Sequence, residues 1–181
     1  MKTPSTIAAM ALAGALCLTP AFAKTGPLSA NDQKFMKDAA QGGMAEVELG
    51  RLAAEKASSA DVKAFGQRMV DDHSKANDQL KTLASQKGVT LPTDMKADAK
   101  EMRDKLAKLS GAEFDKMYMH HMHKDHVKDV AEFEKEASKG GDADVRSFAS
   151  TTLPTLKEHL KMATSLDKMG GDHTMKSGKK G

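Results

Sequence analysis

The chain has 181 residues, of which 39% are hydrophobic and 4% aromatic, and its formal net charge is +3. This nearly balanced charge indicates neither a nucleic-acid partner nor a membrane surface. The single cysteine, Cys17, lies in a segment that we expect to be removed. Disulfides, thiolate metal sites and cysteine nucleophiles are therefore excluded from the mature protein.

The N-terminus has the pattern of a secretory signal peptide. Lys2 precedes an apolar run from Ile7 to Leu18, and Ala21-Phe22-Ala23 follows as a small-x-small cleavage site. Cleavage after Ala23 predicts a periplasmic or secreted protein, with residues 24–30 as an N-terminal linker. No later apolar run approaches the roughly 18 residues that a membrane span requires.

The rest of the chain predicts an all-α fold, because apolar residues recur at helical spacing and no segment alternates as a strand does. Four long helices are expected. The first, second and fourth span about residues 31–56, 59–86 and 142–168, and the third begins near residue 111. The connection between the second and third is roughly 25 residues long and carries a short charged helix at residues 95–109, which we expect to lie outside the core. This pattern is typical of a ferritin-like up-down four-helix bundle spanning residues 31–168. Residues 169–181 are expected to form a disordered tail.

Each long helix carries one ionisable side chain near its midpoint, on its apolar face. These residues are Glu46, His73, His126 and His159. A lone inward histidine is usually a hydrogen-bonded core residue, but four such groups at one level need the compensation that a divalent ion provides. Three imidazoles and a carboxylate suit Zn, Fe(II), Mn or Cu(II) rather than Ca or Mg. The sequence predicts one mononuclear metal centre here.

Two aspartates flank the predicted layer. Asp72 and Asp129 lie one and three residues from predicted ligands, where their carboxylates can orient the imidazoles. Tyr118, on the inward side of the third long helix, is a weaker candidate for the same surroundings.

An alternative metal site lies on the same helix, in a cluster of methionines and histidines at residues 117–123. Met119 and His123 are four residues apart and are expected to face solvent together, beside His120. Thioether and imidazole ligands are those that copper, especially Cu(I), prefers. A structural or interaction module without metal is the remaining alternative.

Three segments carry a family resemblance: MAEVELGRLAAEKASSADVKAFGQRMVDDHSKAN, SGAEFDKMYMHHMHKDHVKDVAEFEKEA and FASTTLPTLKEHLKMA. They resemble the secreted bacterial family known as domain of unknown function 4142, and the resemblance implies a ferritin-like bundle without an established activity. Val70 and Leu156 stand where di-iron ferritins have carboxylates, so ferroxidase chemistry is not implied.

The function predicted from the sequence is binding rather than catalysis. The chain has no Gly-rich phosphate loop and no Ser-His-Asp arrangement, so nucleotide-dependent and triad-based activities are excluded. An exported metal-binding bundle, acting in metal or oxidative stress, is the expectation.

Overall fold

The computed structural model describes the backbone of residues 28–176 and the side chains of residues 28–169. Five helices make up this part of the chain: α1 (Ala30–Lys56), α2 (Ala60–Lys87), α3 (Ala97–Ala107), α4 (Gly111–Lys139) and α5 (Ala143–Lys176). No β-strand occurs between residues 28 and 176, where only an isolated bridge joins Ala57 to Gly111. The predicted all-α bundle, with a short helix in its crossover, is confirmed. The predicted signal peptide lies outside the described residues.

The four long helices pack mainly in two pairs, α1 with α2 and α4 with α5. Within the first pair, Gly50 and Gly66 face each other. A Cβ atom built on Gly50 would lie 2.7 Å from the Gly66 carbonyl oxygen, and one on Gly66 would lie 2.8 Å from the Gly50 carbonyl oxygen. Because real Cβ atoms do not come so close, glycine at both positions is what lets these two backbones touch.

Polar contacts at the turns fix the register of the two helix pairs. Ser29 caps α1 by accepting a hydrogen bond from the Asp32 amide at 3.1 Å. The Asp32 carboxylate accepts from the amides of Gly141 and Asp142, so the start of α1 is held against the turn between α4 and α5. Register matters here because it determines which side chains meet at the bundle midpoint.

The apolar core divides into two clusters along the bundle axis. One contains Leu49, Phe65, Leu106, Phe114 and Met122, among others. The second contains Phe35, Leu80, Phe133, Phe148 and Leu156, among others. On every long helix the predicted metal-binding residue lies between the segments that contribute to these two clusters. A polar layer therefore separates two apolar blocks.

The short helix differs from its prediction. Leu106 is fully buried in the first cluster, with Met102 and Leu109 packed against it. The expectation that this helix lies outside the core is therefore wrong. Its charged residues belong to an amphipathic helix whose one apolar stripe is buried.

The last helix also extends beyond its predicted end. The backbone of α5 is helical to Lys176, so the predicted tail overlaps it over residues 169–176, while residues 177–181 lie outside the described part. A helix that is already nucleated can extend one residue at a time, because each added residue contributes a backbone hydrogen bond. No helix in the described residues is long and apolar enough to cross a membrane.

Candidate metal centre

Four buried ionisable side chains, one from each long helix, meet at the bundle midpoint. His126 and His159 are completely buried, Glu46 is 3% exposed and His73 is 5% exposed. Each side chain projects from the apolar stripe of its helix. It is buried because that stripe faces the other helices. The structure brings the three predicted histidines into one group of ligand atoms, whereas Glu46 belongs to a second group with His126 and Asp129 and contacts His73 through Oε2.

The three imidazoles face one another closely. Their ring centroids are 5.8 Å apart for His73 and His126, 5.3 Å for His73 and His159, and 5.4 Å for His126 and His159. Each ring offers a nitrogen within 4.8 Å of a nitrogen on both other rings. Phe65 packs edge-on against His126 and His159 and supplies an apolar wall on one side.

One nitrogen of each imidazole is already fixed by an oxygen atom. His73 Nδ1 lies 2.8 Å from Glu46 Oε2, His126 Nδ1 lies 2.9 Å from the Met122 carbonyl, and His159 Nε2 lies 2.8 Å from Asp72 Oδ2. Because an oxygen acceptor draws the ring proton to the nitrogen facing it, the other nitrogen of the neutral ring keeps its lone pair.

Those other nitrogens have no hydrogen-bond partner. His73 Nε2, His126 Nε2 and His159 Nδ1 are all buried and unpaired, and so is Glu46 Oε1, which lies 3.5 Å from His126 Nε2. Leaving one buried polar atom unpaired costs about 1–3 kcal/mol. Four such atoms in one layer are typical of a site whose occupant supplies the missing contacts.

The surroundings shift the pKa values of the four layer residues in different directions. Burial would raise the pKa of Glu46, but the charge and hydrogen bond of His73 outweigh burial and lower it. Burial opposes protonation of His73, yet Glu46 raises the pKa of this imidazole overall. Burial lowers the pKa of His126, and it lowers that of His159 to about 4. Two imidazoles are therefore held neutral, as metal ligation requires.

The flanking candidates take different positions. Asp72 binds His159 and is itself held by Arg68, whose Nε lies 3.2 Å from Asp72 Oδ2. Asp129 offers a carboxylate oxygen within 4.8 Å of ligand atoms of Glu46 and His126, so it belongs to a second group of ligand atoms. Tyr118 is buried against Phe65 and Phe114, and its hydroxyl has no hydrogen-bond partner.

The predicted surface copper cluster is only partly exposed. His120 and His123 both lie outside the core, with their Nδ1 atoms 3.4 and 3.1 Å from Asp167 Oδ2 of α5. Met119, however, is 1% exposed and belongs to the first apolar cluster. The prediction that Met119 faces solvent is wrong, because it lies seven residues before His126 and so points within about 20° of that inward side chain.

Two further ligand-type residues were missed by the reasoning from sequence. His121 and Asp125 lie about two turns and one turn before Asp129 on α4, and the His121 Nε2 atom is 4.0 Å from Asp125 Oδ2. All three line a groove between α1, α3 and α4. Their spacing of four residues indicates that they share one face of α4. That face becomes a groove only because α3 lies beside it, and the position of α3 depends on the path of the crossover.

The space beside the layer is very small. Glu46, His73 and Asp129 border a cavity of about 30 Å³, which is room for roughly one water molecule. The arrangement can hold an ion and a ligand of that size, whereas a larger substrate would need the helices to separate.

The fold is shared with solved proteins of low sequence identity. A fragment with domain of unknown function 305 from Deinococcus radiodurans has a TM-score of 0.68 at 13% identity, covering 79% of this chain and 99% of its own. A protein with the same domain from Streptomyces coelicolor has a TM-score of 0.67 at 14% identity, covering 78% and 94%. The protein CopM in its Cu(II)-bound form has a TM-score of 0.65 at 16% identity, covering 76% and 95%. At these identities the likeness shows the fold alone.

No curated protein matches the sequence significantly. The family model described as a domain of unknown function, DUF4142, matches residues 17–166. With most of its length matched, including all four helices that build the buried layer, the chain belongs to the DUF4142 family.

Proposed function

We propose that this protein is an exported metal-binding bundle that holds one divalent transition-metal ion between His73, His126 and His159, with Glu46 as the accompanying carboxylate. The single observation that carries the proposal is the set of three buried, unpaired imidazole nitrogens, one from each of three helices. The predicted signal peptide supports export, and a role in metal or oxidative stress fits a protein that sequesters an ion.

The donor atoms favour a borderline transition metal. Imidazole nitrogen with one carboxylate suits Zn, Fe(II), Mn or Cu(II), and the described bundle contributes no thiolate. Ligand nitrogens on one tetrahedral zinc ion lie about 3.4 Å apart, given Zn–N bonds of about 2.0–2.1 Å. One nitrogen from each of the three rings already lies within 4.8 Å of the other two, so the rings stand close to the spacing that ligation requires.

The hydrogen bonds around the layer support ligation rather than ordinary core packing. Asp72, the Met122 carbonyl and Glu46 each hold the outer nitrogen of one imidazole. Such outer partners fix the ring orientation and raise the basicity of the ligating nitrogen. A solitary core histidine needs hydrogen-bond partners for its own ring alone, whereas three neighbouring rings that each keep an unpaired nitrogen can bind one ion.

Metal uptake should release a proton at this site. Glu46 raises the pKa of His73, so without metal this imidazole is the one that favours protonation. A protonated ring has no free lone pair, and the ion must displace its proton to bind. Binding should therefore weaken as the solution becomes more acidic.

A copper site on the surface of α4 is the second candidate function. His120 and His123 direct nitrogens at the same Asp167 oxygen, which brings two imidazoles and a carboxylate together. The fold shared with CopM, solved with Cu(II) bound, adds support. The site would comprise His120, His123 and Asp167, without the buried Met119.

The test is metal analysis of protein purified without a histidine tag, followed by melting in the presence of Zn²⁺, Mn²⁺, Fe²⁺ or Cu²⁺. We expect about one equivalent of bound ion and a rise in melting temperature of the apo protein, since ligands of the native state stabilise it. Binding that disappears on replacing His120 and His123 would favour the copper site. A metal-free protein whose melting ignores every ion would favour a structural module.

A further inference from the structure

The groove between α1, α3 and α4 has a volume of about 350 Å³ and leads to the edge of the histidine layer. Acidic side chains outnumber basic ones along its lining. The acids are Asp38, Asp98, Glu101, Asp125, Asp129 and Glu132, against three lysines. One of these lysines, Lys96, is already paired with Asp38 at 2.8 Å.

The groove and the layer meet at Asp129. Its carboxylate borders the groove, and one of its oxygens lies within 4.8 Å of ligand atoms of Glu46 and His126. Glu46 Oε1 and His126 Nε2 are buried and lack any hydrogen-bond partner. Glu46 and His126 thus offer unpaired ligand atoms next to Asp129, and these three residues can hold a cation together.

Farther out, ligand-type side chains continue along the same face of α4. His121, Asp125 and Asp129 are spaced one turn apart, and His121 is 4.0 Å from Asp125. No lysine or arginine in the described residues lies within 4.0 Å of Asp125 or Asp129. These two carboxylates are therefore not consumed by ion pairs, unlike Asp38.

We propose that this acidic groove is the route by which a divalent cation reaches the buried site, with Glu46, His126 and Asp129 as a transfer position next to the three histidines. The cation is first attracted by the carboxylates, then exchanges water for Asp129, Glu46 and His126, and moves on to the imidazoles. Glu46 and His126 border both positions, so the ion keeps ligands as it crosses. The proposal rests on the proposed function.

The experiment follows Co²⁺ binding to the apo protein by stopped flow, because Co²⁺ bound by imidazoles absorbs visible light. Asp125→Asn should slow the appearance of the bands about tenfold, the lower end of what electrostatic steering contributes. The final bands and the affinity should stay within twofold. The matched control is Asp78→Asn, an exposed carboxylate that lines a groove on the other side of α1 and α2, and its rate should equal that of the unaltered protein.

A second pair of variants tests the transfer position. With His159→Ala, weak Co²⁺ binding with altered bands should persist at Glu46, His126 and Asp129, and adding Asp129→Asn should abolish it. Far-UV circular dichroism checks that each variant is folded.

The outcomes separate the two proposals. An Asp125→Asn rate equal to that of the unaltered protein would overturn the route while leaving the buried site intact. Absence of cobalt bands in the unaltered protein would overturn both the route and the site.

Discussion

Two groups of histidines on the same helix have opposite surroundings. His126 is completely buried, with one nitrogen held by a backbone carbonyl and the other unpaired, opposite two more imidazoles. His120 and His123 lie six and three residues before His126, exposed or half-buried, and share a carboxylate that water can also solvate. The number of histidines does not distinguish the candidate metal site. What distinguishes it is unpaired nitrogens that water cannot reach.

The largest effect should come from removing one inward imidazole. His126→Ala deletes a proposed ligand that belongs to both groups of donor atoms, and we expect metal affinity to fall by more than the 10- to 100-fold typical of losing a partner that only orients a ligand. The measurement is competition against a chelator of known affinity. His120→Ala on the same helix is the matched control and should change the affinity less than threefold. Equal losses in both variants would break the distinction between the two groups.

A smaller loss should follow removal of an orienting carboxylate. Asp72→Ala takes away the acceptor for His159 Nε2, so the ring loses its fixed tautomer and affinity should fall by about 10- to 100-fold. Asp71→Ala is the control, since Asp71 is an exposed neighbour that accepts only from Gln67. Isothermal titration with Zn²⁺ measures both variants, and unchanged affinity in Asp72→Ala would show that ion binding does not depend on this orienting carboxylate.

The metal-free protein should lose stability in acid through the inward group. Burial lowers the pKa of His159 to about 4, below its unfolded value of about 6.5, so the stability contributed by the neutral ring is present above pH 6.5 and is lost between about pH 6.5 and 4. The pKa of His126 is lowered in the same way, whereas Glu46 raises the pKa of His73. Melting in a chelator between pH 7 and 4 should show the loss.

The matched variants make this pH test specific. His159→Gln should flatten the fall in melting temperature, whereas His120→Gln should leave its slope unchanged. A slope that is the same with and without His159 would contradict the assignment of acid sensitivity to the buried layer.

The smallest effect should come from the outward group. Asp167→Asn removes the carboxylate shared by His120 and His123, and because exposed ion pairs contribute about 0–1 kcal/mol, the free energy of unfolding should change by no more than that. Zn²⁺ affinity should be unaltered. Urea denaturation with and without Zn²⁺ gives both quantities, and a large loss of zinc-dependent stabilisation would transfer the site to the surface.

Much of the fold could be predicted because helical periodicity and end signals are local properties of the sequence. The four midpoint residues were found by counting positions along each helix, a procedure that works when long helices of similar length run side by side. Their convergence is visible in the structure, whereas their binding of metal stays a prediction.

The errors arose where packing between helices decides the outcome. Met119 is an exception, because its position seven residues before His126 already places it on the inward face of α4, where it is buried in the first apolar cluster. Leu106 is buried because the crossover returns α3 against the first cluster, a path that residue patterns do not specify. The acidic groove beside Asp125 depends on that same path.

The most direct test of the central claim is X-ray absorption spectroscopy of the zinc-loaded protein, which reports the atoms bound to the ion. The proposed centre predicts three imidazoles and one oxygen ligand at about 2.0–2.2 Å. Removing the His159 ring should reduce the imidazole count to two, whereas removing the His120 ring should leave it at three. A spectrum with sulfur at about 2.3 Å, or with fewer than two imidazoles in the unaltered protein, would contradict a metal centre in the bundle core.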